Sequence, residues 1–159
     1  MTIDLRQILV PTDFSDESRA ALAYGAALAE TFSATLHVLH VVHAVVAPEA
    51  VPVQDESRQL EATVEATAWE ELRGLVAGDD YARLQATLAI EWGTPVAEII
   101  RYAQEHEIDL IAMGTHGRGG LKRLILGSVA ESAVRDAPCP VLTIHHAERH
   151  ASVRPAVAP

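Results

Sequence analysis

The sequence predicts an α/β domain: a single doubly wound, five-stranded parallel sheet with helices on both faces. Three observations predict it. Short aliphatic runs of strand length alternate with longer stretches of helical periodicity, in the order β-α-β-α-β-α-β-α-β. Of the 159 residues 49% are apolar and only 4% aromatic, so small aliphatic side chains, which let helices lie close on a sheet, dominate. Finally, Gly114, Gly117, Gly119 and Gly120 crowd the end of the fourth apolar run, and Gly127 stands just before another helical pattern.

The first strand is Gln7-Ile8-Leu9-Val10-Pro11, which opens into Thr12-Asp13-Phe14-Ser15. Ser15 is a good N-cap, and Asp16 and Glu17 favour the dipole of a helix that runs to about Phe32. Ala20, Ala21, Ala23, Ala26, Ala27 and Leu28 allow that helix to approach a sheet closely. Residues 34–42 read as a second strand, and residues 43–54, with Pro48 and Pro52, as a loop. Asp55 is expected to cap a second helix of roughly two dozen residues, with Leu60, Val64, Ala68, Leu72 and Leu75 as one apolar stripe. Gly78-Asp79-Asp80 ends it, and residues 83–92 read as the third strand. Thr94 and Pro95 begin a third helix that buries Val96, Ile99, Ile100 and Ala103 and ends near His106. Residues 108–113 form the fourth strand. Ser128-x-x-Glu131 has the capping-box form and opens a helix to about Asp136. Pro138-Cys139-Pro140 breaks it, and Val141 to Ile144 is the fifth strand. Residues 1–146 are expected to form the domain, and 147–159 a disordered tail.

Charge narrows the function. The net charge is −10; residues 1–80 hold 14 acidic and 4 basic side chains, residues 81–159 eight of each. An acidic chain of this kind is a poor partner for DNA or RNA. The lone Cys139 excludes an internal disulfide and a CxxC metal knuckle. No apolar run approaches the ~20 residues of a membrane span, and Asp4 and Arg6 interrupt any signal-peptide pattern, so a cytoplasmic location is expected.

The chemistry centres on residues 113–129. A strand, a glycine loop and a helix start together make an anion cradle, because glycine lets backbone N–H groups approach a ligand and a helix N-terminus adds unpaired donors. It is neither a Walker A loop nor a Rossmann fingerprint. What stands there is Gly114-x-x-Gly117, nine residues, then Gly127-Ser128. A connection whose glycines serve only tight turns is the alternative. Ligands in doubly wound sheets bind beyond the carboxyl ends of the strands, where the strand order reverses. If the first and fourth strands flank that point, Asp13 and the glycine loop share one rim. A strand-end carboxylate there is a hydrogen-bond acceptor for a ligand, although Asp13 also suits a local turn. The histidines do not suggest a metal: His37, His40 and His43 lie on one strand, with His40 facing away from the other two, and His145, His146 and His150 lie near the end of the chain.

The spacing Gly114-x-x-Gly117-x9-Gly127-Ser128, followed by Ala137-Pro138-Cys139-Pro140-Val141-Leu142 and preceded by Ile8-Leu9-Val10-Pro11-Thr12-Asp13-Phe14-Ser15, resembles the nucleotide-binding branch of the universal stress protein family. Element order agrees from about residue 5 to residue 145. The resemblance implies a sheet of order 3-2-1-4-5, adenine nucleotide alpha hydrolase-like or Rossmann-like, and ATP or a related adenine nucleotide as ligand, with or without Mg²⁺. It implies that Asp13 holds the ribose or adenine edge, that Pro11, Thr12 and Met113 line the pocket, and that the Val41 backbone meets the adenine. Gly114, Gly117, Gly127, Ser128 and Val129 would serve the phosphates, with Arg118 adding charge. Arg118, Lys122 and Arg123 read equally well as solvated surface. The resemblance further implies a homodimer paired through the last strand, Val141 to Ile144. A regulatory module without efficient catalysis is the expectation; its rivals are a weak ATPase or adenylate-chemistry enzyme, a sensor of another adenine nucleotide such as cyclic AMP, and a pure interaction module.

Overall fold

The computed structural model describes residues 4–43, 55–78, 81, 84, 86–115 and 126–145. Nine elements follow in order: β1 (Gln7–Thr12), α1 (Asp16–Phe32), β2 (Thr35–His43), α2 (Asp55–Leu75), β3 (Thr87–Gly93), α3 (Pro95–Glu105), β4 (Leu110–Gly114), α4 (Ser128–Asp136) and β5 (Val141–Ile144). They form one five-stranded sheet of order β3-β2-β1-β4-β5, and every pairing is parallel. The chain therefore winds outward from β1 to one edge, crosses back through α3, and winds outward again. β1 and β4 lie side by side at the centre, where the order reverses.

Strand alternation divides the core in two. Ile8, Val10, Leu36 and Val38 face one way and pack with Leu22, Ala26, Leu72 and Leu75 of α1 and α2. Leu9, Leu39, Ile111 and Met113 face the other way, against Ile99, Tyr102, Ala130 and Ala133 of α3 and α4. Ile8, Leu9, Val10, Leu36 and Leu39 are fully or almost fully buried; each such aliphatic side chain contributes about 1.5–3 kcal/mol by leaving water. α1 lies especially close to the sheet. A Cβ on Gly25 would stand 2.5 Å from Val10 Cγ2, so only glycine permits that approach.

Several boundaries differ from the sequence expectation. The described part of β3 starts at Thr87, and residue 83, the expected start of the strand, lies outside the described residues. Before β3, Leu84 N–H bonds Tyr81 O (3.0 Å) and Ala86 N–H bonds Leu84 O (2.6 Å) in place of ladder partners. The expected apolar stripe of α2 is buried only in its second half. Ala68, Leu72 and Leu75 are buried, whereas Leu60 is 65% and Val64 38% exposed. Residues 58–67 are exposed on every face, so helical spacing marked the stripe correctly but not how far the sheet extends beneath it. α4 also begins differently: its N-cap is Gly127, and Ser128 is already the first helical residue. The Ser128–Glu131 capping box is therefore not formed, because the pair stands one position too far into the helix. The 43–54 loop, apart from His43, and the 147–159 tail lie outside the described residues.

Candidate functional site

The carboxyl ends of β1, β2 and β4 form one rim. Thr12 ends β1 opposite His40 of β2. Gly114 ends β4 opposite Ile144 of β5. Beyond each strand end the chain turns into a helix N-terminus, and the two central turns differ in how they use their polar groups.

The turn after β1 is tied to itself. Asp13 Oδ1 accepts from Ser15 N–H (3.1 Å) and from Ser15 Oγ (2.5 Å). Ser15 in turn caps α1, its Oγ accepting from Ser18 N–H at 3.2 Å. Thr12 Oγ1 lies 3.0 Å from Ser18 Oγ and accepts from Phe14 N–H at 3.1 Å. Phe14 sits in the left-handed region, φ +65°, a conformation that costs a bulky L-residue roughly 1–2 kcal/mol. The local-turn role of Asp13 is thus present; its carboxylate is half-buried at the rim.

The turn after β4 closes a loop at its root. Thr115 N–H donates to Ile144 O (3.0 Å), and Gly127 N–H donates to Thr115 O (2.6 Å). These bonds tie Gly127 to Thr115 and Thr115 to the end of β5. α4 then starts without a side-chain cap, as Gly127 has none to offer. Glu131 N–H is bonded to Gly127 O (2.9 Å); the N–H groups of Ser128, Val129 and Ala130 precede it in the first turn and have no intrahelical acceptor. Ser128 is exposed and Val129 half-buried beside them.

Gly114 has a cause that needs no ligand. A Cβ there would meet Glu17 Cβ at 2.9 Å and the Glu17 carbonyl carbon at 3.0 Å. The first turn of α1 is thereby allowed against the end of β4, which brings the Thr12–Ser15 corner beside the Thr115–Gly127 root. Gly127, by contrast, has φ −73° and ψ 158°, ordinary extended backbone open to any residue.

Of the residues singled out in the sequence, Pro11 and Thr12 are buried at the end of β1, and Met113 is buried at the end of β4. Val41 lies near the end of β2, half-buried against the α3–α4 side. Asp13, Gly114, Gly127, Ser128 and Val129 share the same rim; Gly117 and Arg118 lie outside the described residues. Two participants were not anticipated. Thr115 pins the loop, and His40 bonds the Thr12 carbonyl through Nδ1 at 2.8 Å. The alternation of β2 did signal that His40 faces away from His37, but not what it would meet. Cys139 precedes β5, and burial first, then the charge of Asp109, pushes its thiol above the usual range, which leaves it a poor nucleophile at neutral pH.

The family model described as "Universal stress protein family" matches residues 5–145. Universal stress protein MJ0531 of Methanocaldococcus jannaschii is 32% identical over 152 residues, an alignment spanning 87% of this chain and 81% of that one. Universal stress protein Rv2005c of Mycobacterium tuberculosis is 37% identical over 147 residues, 87% of this chain but 47% of that protein, so the chain spans about half its length. Among solved structures, that of MJ0577 superposes with a TM-score of 0.78 at 26% identity, over 91% of this chain and 99% of that one. A universal stress protein solved in complex with cAMP superposes at TM-score 0.66, 21% identity, over 90% and 98% of the two chains, a likeness of fold.

Proposed function

The chain belongs to the universal stress protein family, and from that premise we propose that its carboxyl rim binds ATP as a regulatory signal and does not turn it over efficiently. The observation that carries the reading is the start of α4. Three backbone N–H groups without an intrahelical acceptor and an exposed hydroxyl stand at the start of a helix whose cap position holds no side chain, and such a terminus also bears partial positive charge. These groups suit the phosphates, together with Gly117 and Arg118 of the loop. Asp13, Pro11, Thr12, Met113 and the Val41 backbone suit the nucleoside.

Weak turnover follows from what the phosphate end lacks. Hydrolysis needs a group that orients or deprotonates water near the γ-phosphate, usually with Mg²⁺. Residues 110–130 contain no Asp, Glu, Asn or Gln, and Asp13 is occupied at the nucleoside end. Calorimetric titration with ATP, ADP and cyclic AMP tests binding and ranks the ligands; absence of binding by all three would overturn the reading. Single-turnover hydrolysis with Mg²⁺, for wild type and His116→Ala, tests the rest. The expected rate is negligible beside a dedicated ATPase, and a fast rate that collapses in the variant moves the protein to the enzymes.

The dimer belongs to the same proposal. β5 is an edge strand, and its Leu142 is 38% exposed; an uncovered apolar edge invites pairing with a second copy.

A further inference from the structure

The corner after β1 holds a bulky residue in a conformation such residues avoid, and one side chain grips both ends of it. Phe14, at φ +65°, lies with its ring against the imidazole of His40, centroids 4.4 Å apart and planes tilted by 36°. His40 stands opposite Thr12 in the β1–β2 register, and its Nδ1 is 2.8 Å from the Thr12 carbonyl oxygen. A carbonyl only accepts, so Nδ1 carries the proton and donates. His40 therefore fixes the carbonyl that enters the corner and the ring at its centre. Asp13 is the residue between those two fixed points.

We propose that His40 is a positioning residue for the nucleoside: its hydrogen bond to the Thr12 carbonyl sets the Thr12–Phe14 corner and so the direction of the Asp13 carboxylate. The inference rests on the adenine-nucleotide reading above. His40 acts through Asp13 and needs no contact of its own with the ligand. Backbone held in a sparsely populated region persists only where its surroundings over-determine it, and here the Thr12 hydroxyl, the His40 donor and the His40 ring add to the bonds from Ser15 to Asp13 Oδ1 in supplying those restraints.

Two substitutions separate the bond from the packing. His40→Phe keeps a ring against Phe14 and removes the donor; His40→Asn keeps a donor near the place of Nδ1 and removes the ring. ATP, adenosine and inorganic tripolyphosphate are titrated into each full-length variant. His40→Phe should weaken ATP and adenosine about tenfold, the scale of one lost hydrogen bond, with tripolyphosphate changed less than about twofold. His40→Asn should recover to within about threefold of wild type. In an Asp13→Asn background the effect of His40→Phe should shrink below about twofold, because coupled residues are non-additive. Equal losses for adenosine and tripolyphosphate, or losses that multiply in the double variant, overturn the proposal. If wild type binds no adenine nucleotide, the functional reading fails separately, and hydrogen exchange at the Phe14 and Ser15 amides then reads the corner. Exchange about tenfold faster in His40→Phe, restored in His40→Asn, supports His40 as its anchor; unchanged exchange removes it.

Discussion

The two rims of the sheet treat their polar groups in opposite ways. At the amino rim they close on one another. Asp109 Oδ2 accepts from the N–H groups of Arg6 (2.7 Å) and Gln7 (2.9 Å), which fastens the start of β1 to the approach of β4. His37, only 6% exposed, has Nε2 2.8 Å from Gln7 Oε1 and Nδ1 3.0 Å from the Tyr102 hydroxyl. Gln7 Oε1 accepts, so Nε2 donates and Nδ1 receives the Tyr102 proton: a neutral ring with both nitrogens satisfied. At the carboxyl rim the first turn of α4 instead presents donors that, among the described residues, no side chain caps. The amino rim has spent its hydrogen bonds on the fold, whereas the carboxyl rim, beyond the self-tied turn after β1, is where we propose that a ligand is met. Such satisfied networks stiffen a structure, and open donors cost least where water or an anion meets them.

The sharpest way to break this contrast is Gly127→Glu. The backbone at 127 accepts any residue, so the fold should persist, while a side chain and a negative charge enter the space above the donors. ATP affinity should fall by at least about a hundredfold by steric exclusion and charge repulsion; calorimetry alongside a circular dichroism melt measures both. Wild-type affinity in a folded Gly127→Glu protein would mean the open donors serve no ligand.

Next comes the edge. Ile111 and Thr115 N–H groups donate to Pro140 and Ile144 carbonyls (both 3.0 Å). Alternation along a parallel ladder then turns Leu142 toward β4 and the Thr143 N–H toward the open side. Thr143→Pro should therefore leave the monomer folded and weaken the dimer about tenfold or more, read by sedimentation at micromolar concentration. A monomeric wild type would end the dimer reading.

Gly114→Ala should cost about 1–3 kcal/mol of stability through overpacking against Glu17, measured by urea unfolding without nucleotide. An unchanged midpoint would mean that α1 yields, and that the glycine serves the ligand alone.

The smallest effect concerns the amino rim. Burial, and then the nearby His106, lower the pKa of His37 below its usual value. The unfolded chain thus binds a proton more readily, and stability contributed by neutral His37 is full above about pH 6.5 and declines as the pH falls below it. The slope of melting temperature against pH between about 7 and 5 should flatten in His37→Gln, with ATP affinity at pH 7.5 unaffected. An unaltered slope would place the acid sensitivity elsewhere.

Much of this molecule was legible in the sequence because its signals are local. Strand alternation separated Ile8 and Val10 from Leu9, and placed His37 and His40 on opposite faces, as their partners Tyr102 and Phe14 demonstrate. The α1 cap at Ser15 and the limits of β5 also follow from neighbouring residues. The candidate rim was legible through the spacing of Gly114, Gly117, Gly127 and Ser128, and the strand order through its resemblance to a family. Other features depended on partners far away in sequence. Nothing near Gly25 indicates that Val10 lies 2.5 Å from its absent Cβ, and nothing near Gly114 indicates Glu17. Leu60 and Val64 keep helical spacing with the buried part of α2, yet their exposure depends on where the sheet ends. Ser128-x-x-Glu131 fits a capping box by residue type, but the bond from Gly127 N–H to Thr115 O fixes the helix start one residue earlier. By itself the sequence determined which residues alternate, which stretches turn, and where glycines gather after the fourth strand, since propensity and periodicity act over a few residues. Tertiary structure alone decided which glycines serve packing, where α4 begins, and that His40 grips the Thr12–Phe14 corner, because close approach and hydrogen-bond completion depend on atoms brought together from distant parts of the chain.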